Sequence, residues 1–260
     1  MLRGQTAVIT GSTSGIGLGL AHAFAAAGCR LVINGIATPG EAESLSQRLS
    51  QQHNVDVFYH PADLADADHC AALIRDAEAR YGPLDILINN AGIQHVAPVE
   101  QFPPERWNAI IAIDLSAAFH TIRAALPAMQ RRNQGRIINI ASVHGLVASI
   151  NKAAYVAAKH GLIGLTKVVA LENAPRGITC NAICPGFVLT ALIQKQIDAR
   201  ASQSHISNDE ATRELLQEKE PTGRFTSVED IAALALFLSS AAAANITGAS
   251  FPMDGGWTAQ

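Results

Sequence analysis

The sequence predicts a single α/β domain over residues 1–260, built as a doubly wound parallel sheet of seven strands with helices on both faces. Strand-like and helix-like segments alternate along nearly the whole chain. The strand-like segments are continuous apolar runs, as expected for strands that are buried on both faces. Hydrophobic residues make up 48% of the chain and charged residues only 16%, which is enough for one large core.

Seven short apolar runs are the predicted strands. Gly11 ends the first run, Gly35 ends the second, and an Asn-Asn-Ala-Gly segment closes the fourth. Because helical stretches separate consecutive runs, neighbouring strands are expected to pair in parallel through crossover connections. The predicted strands are residues 6–10, 30–34, 55–60, 84–88, 136–141, 178–183 and 249–251.

The stretches between the strands have helical composition. Gly28 stops the first helix and Gly82 stops the third, as glycine commonly does just past a helix. The fourth and fifth helices are long, apolar and rich in alanine. The predicted helices are residues 16–27, 41–52, 65–81, 104–130 and 152–172.

One stretch breaks the alternation. Residues 188–221 are polar and charged, with helical pieces at 192–201 and 209–218. Ser207 and Glu210 have the spacing of a capping box at the start of the second piece. The stretch follows the carboxyl end of a central strand, where open α/β sheets bind ligands. We predict a mobile helical lid over the site; a surface insertion without a role is the alternative.

Charge and cysteine content argue against several classes of partner. The net charge is −3 and there is no basic block, so neither nucleic acid nor a membrane surface is an expected partner. No apolar run approaches the roughly 20 residues needed to span a bilayer, and the N-terminal residues lack secretory or transit character. The 4 cysteines have neither disulfide nor zinc-site spacing, and no metal is expected. We therefore expect a cytoplasmic protein with buried, reduced thiols.

A glycine-rich loop follows the first strand and opens the first helix. Glycine permits a tight turn and a close approach of the backbone to a pyrophosphate, which the free amides at the helix start would bind. The lysine of a nucleoside triphosphate-binding loop is absent, which disfavours triphosphate hydrolysis. The residues expected to hold the phosphates are Gly11, Thr13, Ser14, Gly15, Ile16 and Gly17.

The residues after the second strand indicate which dinucleotide binds. A cofactor with a 2′-phosphate needs a basic partner at the strand end or in the glycine loop. Asn34, Gly35 and Ile36 are uncharged, and the glycine loop carries no positive charge either. The acidic residue that usually binds the ribose is also missing. NAD is therefore favoured by the lack of cations.

Ser142 and the Tyr155-x-x-x-Lys159 pair suggest proton transfer. A tyrosine and a lysine four residues apart share one face of a helix. The ordinary pKa of tyrosine is near 10, so it must fall to roughly 7–8 for Tyr155 to act as a base near neutral pH. Lys159 and a cationic nicotinamide would supply much of that change. Ser142 would donate a hydrogen bond to the substrate oxygen.

Together these motifs resemble the short-chain dehydrogenase/reductase family over essentially the whole chain. The resemblance implies a Rossmann-like fold, hydride transfer to or from a nicotinamide, and a homotetramer with interfaces on the long helices. It also implies that Lys159 contacts the nicotinamide ribose. The matching motifs are Gly11-x3-Gly15-x-Gly17, Asn89-Asn90-Ala91-Gly92, Ser142, Tyr155-x3-Lys159 and Pro185-Gly186.

The resemblance implies further contacts with the cofactor. Asp63 and Leu64 follow the third strand, where the family has an acidic residue beside the adenine. Thr190 would contact the carboxamide of the nicotinamide, and Tyr155 would also touch the cofactor. The remaining implied contacts are Asn90, Ala91, Gly92, Pro185, Gly186 and Val188.

Asp114 departs from the family pattern. The family usually has an asparagine at this position, which completes a proton relay through water. Aspartate is nearly isosteric with asparagine but only accepts hydrogen bonds when it is ionised. A carboxylate near Lys159 would weaken its effect on Tyr155, whereas a protonated Asp114 would not. Asp114 is therefore a fourth predicted catalytic residue, and its part in the relay stays open.

Within the family, local segments resemble the bacterial D-3-hydroxybutyrate dehydrogenases at residues 90–95, 142–148, 151–152 and 254–259. In that group a substrate carboxylate is expected to bind Gln94, His144, Lys152 and Gln196, with Trp257 near the pocket. The chemistry agrees, because all four side chains can donate hydrogen bonds to a carboxylate. The ketone of a small 3-oxo acid would then meet Ser142 and Tyr155.

Two differences widen the range of expected substrates. Phe187 stands where that group is expected to have tryptophan, and Leu189-Thr190-Ala191 stands in place of Arg-Thr-Pro. Phe187 keeps an aromatic wall but lacks the indole donor. The main hypothesis is NAD-dependent interconversion of D-3-hydroxybutyrate and acetoacetate. The alternatives are a dehydrogenase of another 3-oxo acid, a sugar or a polyol, and a non-catalytic NAD-binding regulator, which would not need the Ser-Tyr-Lys set.

Overall fold

Seven parallel strands form one sheet in the computed structural model of the chain, which describes residues 2–260. Their order across the sheet is β3-β2-β1-β4-β5-β6-β7. All seven correspond to predicted strands, although β6 and β7 continue further than expected. Met1 of the predicted domain lies outside the described residues. The strands are β1 Thr6–Ile9, β2 Arg30–Asn34, β3 Val57–His60, β4 Ile86–Asn89, β5 Gly135–Ile140, β6 Ile178–Pro185 and β7 Ser250–Met253.

The helices connect the strands and form the predicted lid region. The two pieces predicted at 192–201 and 209–218 are the helices α7 and α8. Helix α9 has no counterpart among the predicted elements, although Ser227, whose hydroxyl accepts a hydrogen bond from the Asp230 amide, marks its start. The α-helices are α1 Gly15–Ala26, α2 Pro39–His53, α3 Ala67–Tyr81, α4 Pro104–Ile111, α5 Ala117–Arg132, α6 Ala153–Asn173, α7 Ala191–Ser204, α8 Asn208–Lys219 and α9 Val228–Ser239.

The helix predicted over residues 104–130 is not regular. Helix α4 ends at Ile111, a π-helical segment covers Ala112–Ser116, and α5 begins at Ala117. Single π-helical turns within α-helices are frequent at functional sites. This one carries Asp114, so the prediction of one regular helix is wrong at a position that matters for the site.

Helices cover both faces of the sheet. Helices α1 and α9 pack together on one face, where Phe24 and Ile9 belong to the same apolar cluster. Helices α3 and α5 pack on the other face, where Leu73 and Leu87 belong to a second cluster. Because side chains alternate along a strand, each central strand contributes to both clusters. This two-sided burial accounts for the continuous apolar runs in the sequence.

A buried polar network ties the centre of the sheet to the helices above it. The Asn89 side-chain amide donates to Asn139 Oδ1 at 2.9 Å, and the Asn139 amide donates to Thr166 Oγ1 at 2.8 Å. The Thr121 hydroxyl donates to Asn89 Oδ1 at 2.7 Å. The network therefore links β4 and β5 to α5 and α6. A satisfied buried network of this kind specifies one arrangement of the elements that it joins.

The carboxyl ends of the central strands form the crevice in which the site lies. Strands β1 and β4 are neighbours, and the chain continues from them toward opposite edges of the sheet. Such a switch point opens a crevice between the two loops that leave the sheet there. The loops that follow β1, β4, β5 and β6 carry the glycine loop, Asn90, Ser142 and Gly186. The topology therefore brings the predicted site residues to one edge.

Two helical stretches, Pro104–Arg132 and Ala153–Arg176, are long and apolar enough to cross a membrane by length and composition. Core helices of soluble proteins pass the same test, so this is weak evidence for a membrane span. In this fold both stretches bury one face in the domain and carry the buried polar residues Asp114 and Lys159.

The cysteines are packing residues. Cys29, Cys70, Cys180 and Cys184 are all buried and free, as predicted. Burial raises the pKa of Cys29 and of Cys180 to about 12, so both thiols stay protonated and unreactive at neutral pH. Within residues 2–260, no cluster of three or more His, Cys, Asp or Glu side chains could hold a metal ion.

Candidate active site

The glycine loop has the conformation that a phosphate site requires. Gly11 and Gly15 have positive φ angles of 62° and 53°, which favour glycine. A Cβ atom on Gly17 would overlap the Gly11 carbonyl oxygen and the Asn90 amide. Helix α1 begins at Gly15, and the side chain of Ser14 makes no capping hydrogen bond. The amides of the first turn are thus left for an anion.

A side-chain clamp joins the glycine loop to the loop after β4. The Asn90 side-chain amide donates to the carbonyl oxygens of Thr10 and Gly11, at 2.9 and 3.1 Å. In return the Thr10 hydroxyl accepts from the backbone amides of Asn90 and Ala91. Asn90 therefore braces the loop as well as lying at the predicted cofactor site.

The end of β2 has no cation, as the sequence indicates. Ile36 is 98% exposed, and the Thr13 hydroxyl donates to its carbonyl oxygen. The Asn34 side chain is buried and donates to the carbonyl oxygens of His60 and Ala62, so it braces β3 and does not face the crevice. Asp63 is exposed beside the buried Leu64. The structural role of Asn34 could not be read from the sequence, because it depends on the pairing of β2 with β3.

Ser142, Tyr155 and Lys159 converge above the end of β5. Ser142 begins a short 3₁₀ turn after β5, while Tyr155 and Lys159 lie one turn apart on α6. Lys159 Nζ donates to the Ile140 carbonyl oxygen at 3.2 Å and lies 5.5 Å from the centroid of the Tyr155 ring. Lys159 is only 2% exposed. The predicted triad is therefore assembled around a buried ammonium.

Burial dominates the ionisation of Tyr155. It raises the pKa of Tyr155 above its ordinary value, and the charge of Asp114 acts in the same direction. Lys159 and hydrogen bonding with Ser142 oppose the rise but do not overcome it. In the protein alone, the group is therefore a phenol at neutral pH.

Asp114 projects from the π-helical segment toward Lys159. Its Oδ1 accepts a hydrogen bond from the Ile93 amide at 2.8 Å, and its Oδ2 lies 3.6 Å from Lys159 Nζ. Burial raises the pKa of Asp114, while the charge of Lys159 acts to lower it. A Cβ atom on Gly92 would lie 2.9 Å from Asp114 Oδ2, so the glycine leaves room for the carboxylate. The structure thus places the fourth predicted catalytic residue against the third.

A cavity of about 110 Å³ opens beside Tyr155. Ile16, Pro185, Gly186, Val188 and Thr190, which are predicted cofactor contacts, line it. All the predicted substrate residues also line it, namely Gln94, Ser142, His144, Lys152, Tyr155, Phe187, Gln196 and Trp257.

A larger, more open groove of about 710 Å³ runs beside β3 and α2. It contains none of the predicted site residues, so its size alone does not make it the active site.

Lys152 and two glutamines form a polar patch in the cavity wall. Burial lowers the pKa of Lys152. The Gln196 side-chain amide donates to Gln94 Oε1 at 3.2 Å, which joins lid helix α7 to the loop after β4. A carboxylate bound here would give Lys152 a counter-charge and would favour its charged form.

His144 is held between two serines. Its Nε2 lies 2.8 Å from Ser149 Oγ, and its Nδ1 lies 3.4 Å from Ser142 Oγ. Burial lowers the pKa of His144 to about 3, and the charge of Lys152 adds to this effect. The ring is therefore neutral at physiological pH. Donation to a substrate carboxylate, as predicted, would require His144 to exchange one of these two contacts.

An aromatic wall closes the cavity. The Phe187 and Trp257 rings have centroids 5.1 Å apart, and His144 meets Trp257 edge to face at 5.4 Å. Lys219 Nζ lies 5.7 Å from the Trp257 ring centroid. Phe187 thus keeps the aromatic surface that was expected at this position.

Glu220 is a buried acid that supports this wall and is not among the predicted site residues. It follows α8, is only 1% exposed, and accepts a hydrogen bond from the Phe187 amide. Burial raises the pKa of Glu220, and the charge of nearby Asp254 adds to the rise. In the sequence Glu220 lies in a charged stretch and carries no signal of burial. It anchors the end of the lid region to the pocket wall.

Several known dehydrogenases and reductases are similar to this chain over its whole length. A family model described as enoyl-(acyl carrier protein) reductase matches residues 11–258. The D-beta-hydroxybutyrate dehydrogenase of Cupriavidus necator is 55% identical, with 100% of both chains covered. The enzyme of the same name from Rhizobium meliloti is 50% identical, covering 98% of this chain and 99% of its own. The crystal structure of levodione reductase matches with a TM-score of 0.91 at 29% identity, covering 100% of this chain and 99% of its own.

Glu220→Gln should change how stability depends on pH. An acid whose pKa is raised by folding, as for Glu220, binds an extra proton in the folded state. Its contribution to stability is therefore lost as the pH rises from the ordinary glutamate value of 4.5 through the raised value. Glutamine keeps an acceptor for the Phe187 amide and has no charge to bury. Urea midpoints measured from pH 5 to pH 9 should decline less in the variant than in the wild type.

Glu214→Gln is the matched control, because Glu214 is exposed on α8. In this variant the urea midpoint should decline with pH as it does in the wild type. The same decline in Glu220→Gln and in the wild type would contradict the prediction.

Proposed function

Because the chain belongs to the short-chain dehydrogenase/reductase family, we propose that it is an NAD-dependent enzyme that interconverts D-3-hydroxybutyrate and acetoacetate. The observation that carries the proposal is that Tyr155 and Lys152 line one small cavity. A 3-hydroxy acid needs a group that exchanges a proton at its hydroxyl end and a cation at its carboxylate end. The names of the relatives at 55% and 50% identity support the same substrate.

The residues around the glycine loop fit a dinucleotide. At Gly17 any side chain would overlap the glycine loop and Asn90, and the first-turn amides of α1 are free to bind a pyrophosphate. Asp63 and Leu64 would hold the adenine end, with Thr13, Ser14, Asn90, Ala91 and Gly92 along the middle, and Pro185, Gly186, Val188 and Thr190 around the nicotinamide. When bound there, NAD supplies the ring that accepts or returns the hydride. The uncharged Asn34, Gly35 and Ile36 support NAD over its 2′-phosphorylated form.

In the oxidation direction, Tyr155 takes the proton from the substrate hydroxyl, and the hydride leaves the carbon that carries this hydroxyl. Ser142 donates a hydrogen bond to the substrate oxygen, as an oxyanion donor does. Lys159 alone does not offset the burial of Tyr155, so the phenol keeps its proton until a second positive charge lies beside it. In the reduction direction Tyr155 returns the proton to the oxygen of the ketone.

The lining of the cavity supports a short acid as the substrate. Lys152, Gln94 and Gln196 would bind the carboxylate, Phe187 and Trp257 would pack on the carbon chain, and neutral His144 would hold Ser142 in place. A four-carbon acid offers a carboxylate to the donors and a carbon chain to the aromatic rings, whereas a neutral polyol leaves Lys152 without a counter-charge.

We further propose a homotetramer in the cytoplasm. Helices α4, α5 and α6 expose large apolar side chains that a monomer would leave in water, including Trp107, Phe119, Val168 and Leu171. Leu171 is 78% exposed. Contacts between copies of the chain through these helices would cover this surface, and the net charge of −3 supports neither a nucleic acid nor a membrane partner.

Purified protein with NAD should form NADH from D-3-hydroxybutyrate. The L enantiomer, 3-hydroxypentanoate, a sugar and a polyol serve as the comparison panel, and NADP replaces NAD in a parallel series. Absence of turnover with D-3-hydroxybutyrate, together with efficient turnover of neutral alcohols, would refute the substrate. NADH formation with any alcohol would exclude a non-catalytic regulator.

Tyr155→Phe should lower turnover by roughly 10²- to 10⁴-fold, because it removes the group that exchanges the proton. NADH binding, followed by fluorescence titration, should stay close to wild type, since the ring is retained. Near-normal turnover in this variant would rule out the proposed role of Tyr155.

Lys152→Ala should raise the KM for acetoacetate by roughly 10- to 100-fold, because a charge-assisted hydrogen bond to the carboxylate is lost. The KM for 4-hydroxy-2-butanone, a ketone without a carboxylate, should change little. Lys195→Ala is the matched control, since Lys195 is exposed on α7. Equal losses for the two ketones in Lys152→Ala would contradict a carboxylate site.

A further inference from the structure

Asp114 and Tyr155 share a single buried cation. Lys159 Nζ lies 3.6 Å from Asp114 Oδ2 and 5.5 Å from the centroid of the Tyr155 ring. Asp114 and Lys159 are each only 2% exposed, so water screens their interaction little. Two acidic groups therefore depend on one ammonium.

The fold holds the Asp114 carboxylate in this position. The Ile93 amide fixes Oδ1, and the π-helical segment Ala112–Ser116 sets the direction of the side chain. Gly92 lies so close that a Cβ atom there would be 2.9 Å from Oδ2 and 3.4 Å from Lys159 Nζ. Oδ2 is buried and has no hydrogen-bond partner within residues 2–260. The interaction left to Oδ2 among the described residues is its attraction to Lys159.

Few other charges bear on the two acids. The charge that acts on Asp114 is that of Lys159, and the loop after β4 contributes the Ile93 amide. At the end of β5, Ser142 acts to lower the pKa of Tyr155, and neutral His144 meets the Tyr155 ring edge to face at 5.9 Å. The charge balance around Tyr155 is therefore set mainly by Lys159 and Asp114.

We propose that the Asp114 carboxylate competes with Tyr155 for Lys159 and so raises the pH at which Tyr155 changes from a proton donor to a proton acceptor. While Asp114 is ionised, it neutralises the ammonium that would otherwise favour a phenolate. Tyr155 then remains a proton donor to higher pH, which suits the reduction of a ketone. This inference rests on the proposed function for its kinetic consequence, but the charge competition can be measured without substrate.

Direct titration of Tyr155 is the first test. The absorbance of tyrosinate is followed against pH in wild type and in Asp114→Asn, with Tyr155→Phe as the blank for the other tyrosines. Both proteins are measured alone and with saturating NAD. Asparagine keeps an oxygen acceptor for Ile93 but has no charge, so Tyr155 should ionise roughly 1 pH unit lower in Asp114→Asn. Glu105→Gln, which removes an exposed charge from α4, should leave the titration unchanged.

Equal titrations in wild type and Asp114→Asn would overturn the proposal, because they would mean that Asp114 carries no charge. Ionisation at a higher pH in the variant would also overturn it. Circular dichroism is compared to confirm that the variant folds. If it does not, Asp114→Ser, which also removes the charge, is titrated in its place and the same downward shift is expected.

The pH dependence of kcat/KM is the second test. Oxidation needs the phenolate, so its rate rises with pH, whereas reduction needs the phenol, so its rate falls with pH. Both limbs should move down by roughly 1 pH unit in Asp114→Asn. The KM for acetoacetate at low pH should stay the same. If the pH limbs of kcat/KM are the same in wild type and Asp114→Asn, the proposal is refuted. If the wild type is inactive on both D-3-hydroxybutyrate and acetoacetate, the proposed function is refuted, and the titration of Tyr155 remains the test of Asp114.

Discussion

The buried ammonium of Lys159 is the constraint around which the active site is built. A cation removed from water must be compensated by nearby oxygen atoms or negative charge, since the desolvation penalty is large. The compensation comes from the Ile140 carbonyl oxygen at the end of β5, from Asp114 and from the ring of Tyr155. Each lies on a different element or turn, so their positions must be held together. The network of Asn89, Asn139 and Thr166 beneath the site links β4 and β5 to α6 and supplies that rigidity.

Two kinds of polar group line the cavity. Ser142 and Tyr155 offer hydroxyl groups, while Lys152 and the paired glutamines offer further hydrogen-bond donors. Phe187 and Trp257 pack against each other in the wall of the same cavity. The lid helices are part of this arrangement, because Gln196 on α7 and Glu220 after α8 both reach pocket residues. The predicted lid region therefore contributes contacts to the cavity wall.

Much of this could be predicted because the signals are local. Continuous apolar runs identify strands of a doubly covered sheet, and glycines at a strand end indicate a tight strand-to-helix turn, so the sheet and the glycine loop were predictable. The π-helical turn at Asp114 was not, because its residues have ordinary helical composition. Asn34, Glu220 and the serine contacts of His144 depend on distant partners, which one sequence does not specify. Helix α9 did have a local signal, in the Ser227 cap followed by an apolar run.

The second carboxylate oxygen of Asp114, Oδ2, is where this residue differs from a neutral side chain that would only accept a hydrogen bond. A neutral side chain at this position could satisfy the Ile93 amide, so the hydrogen bond alone does not require a carboxylate. A buried carboxylate with one unpaired oxygen is destabilising unless a cation compensates for it. Here the compensating cation also acts on the group that exchanges the proton. A negative charge at Asp114 would therefore act on Lys159 and, through it, on Tyr155, whereas the fold by itself needs only an acceptor for the Ile93 amide.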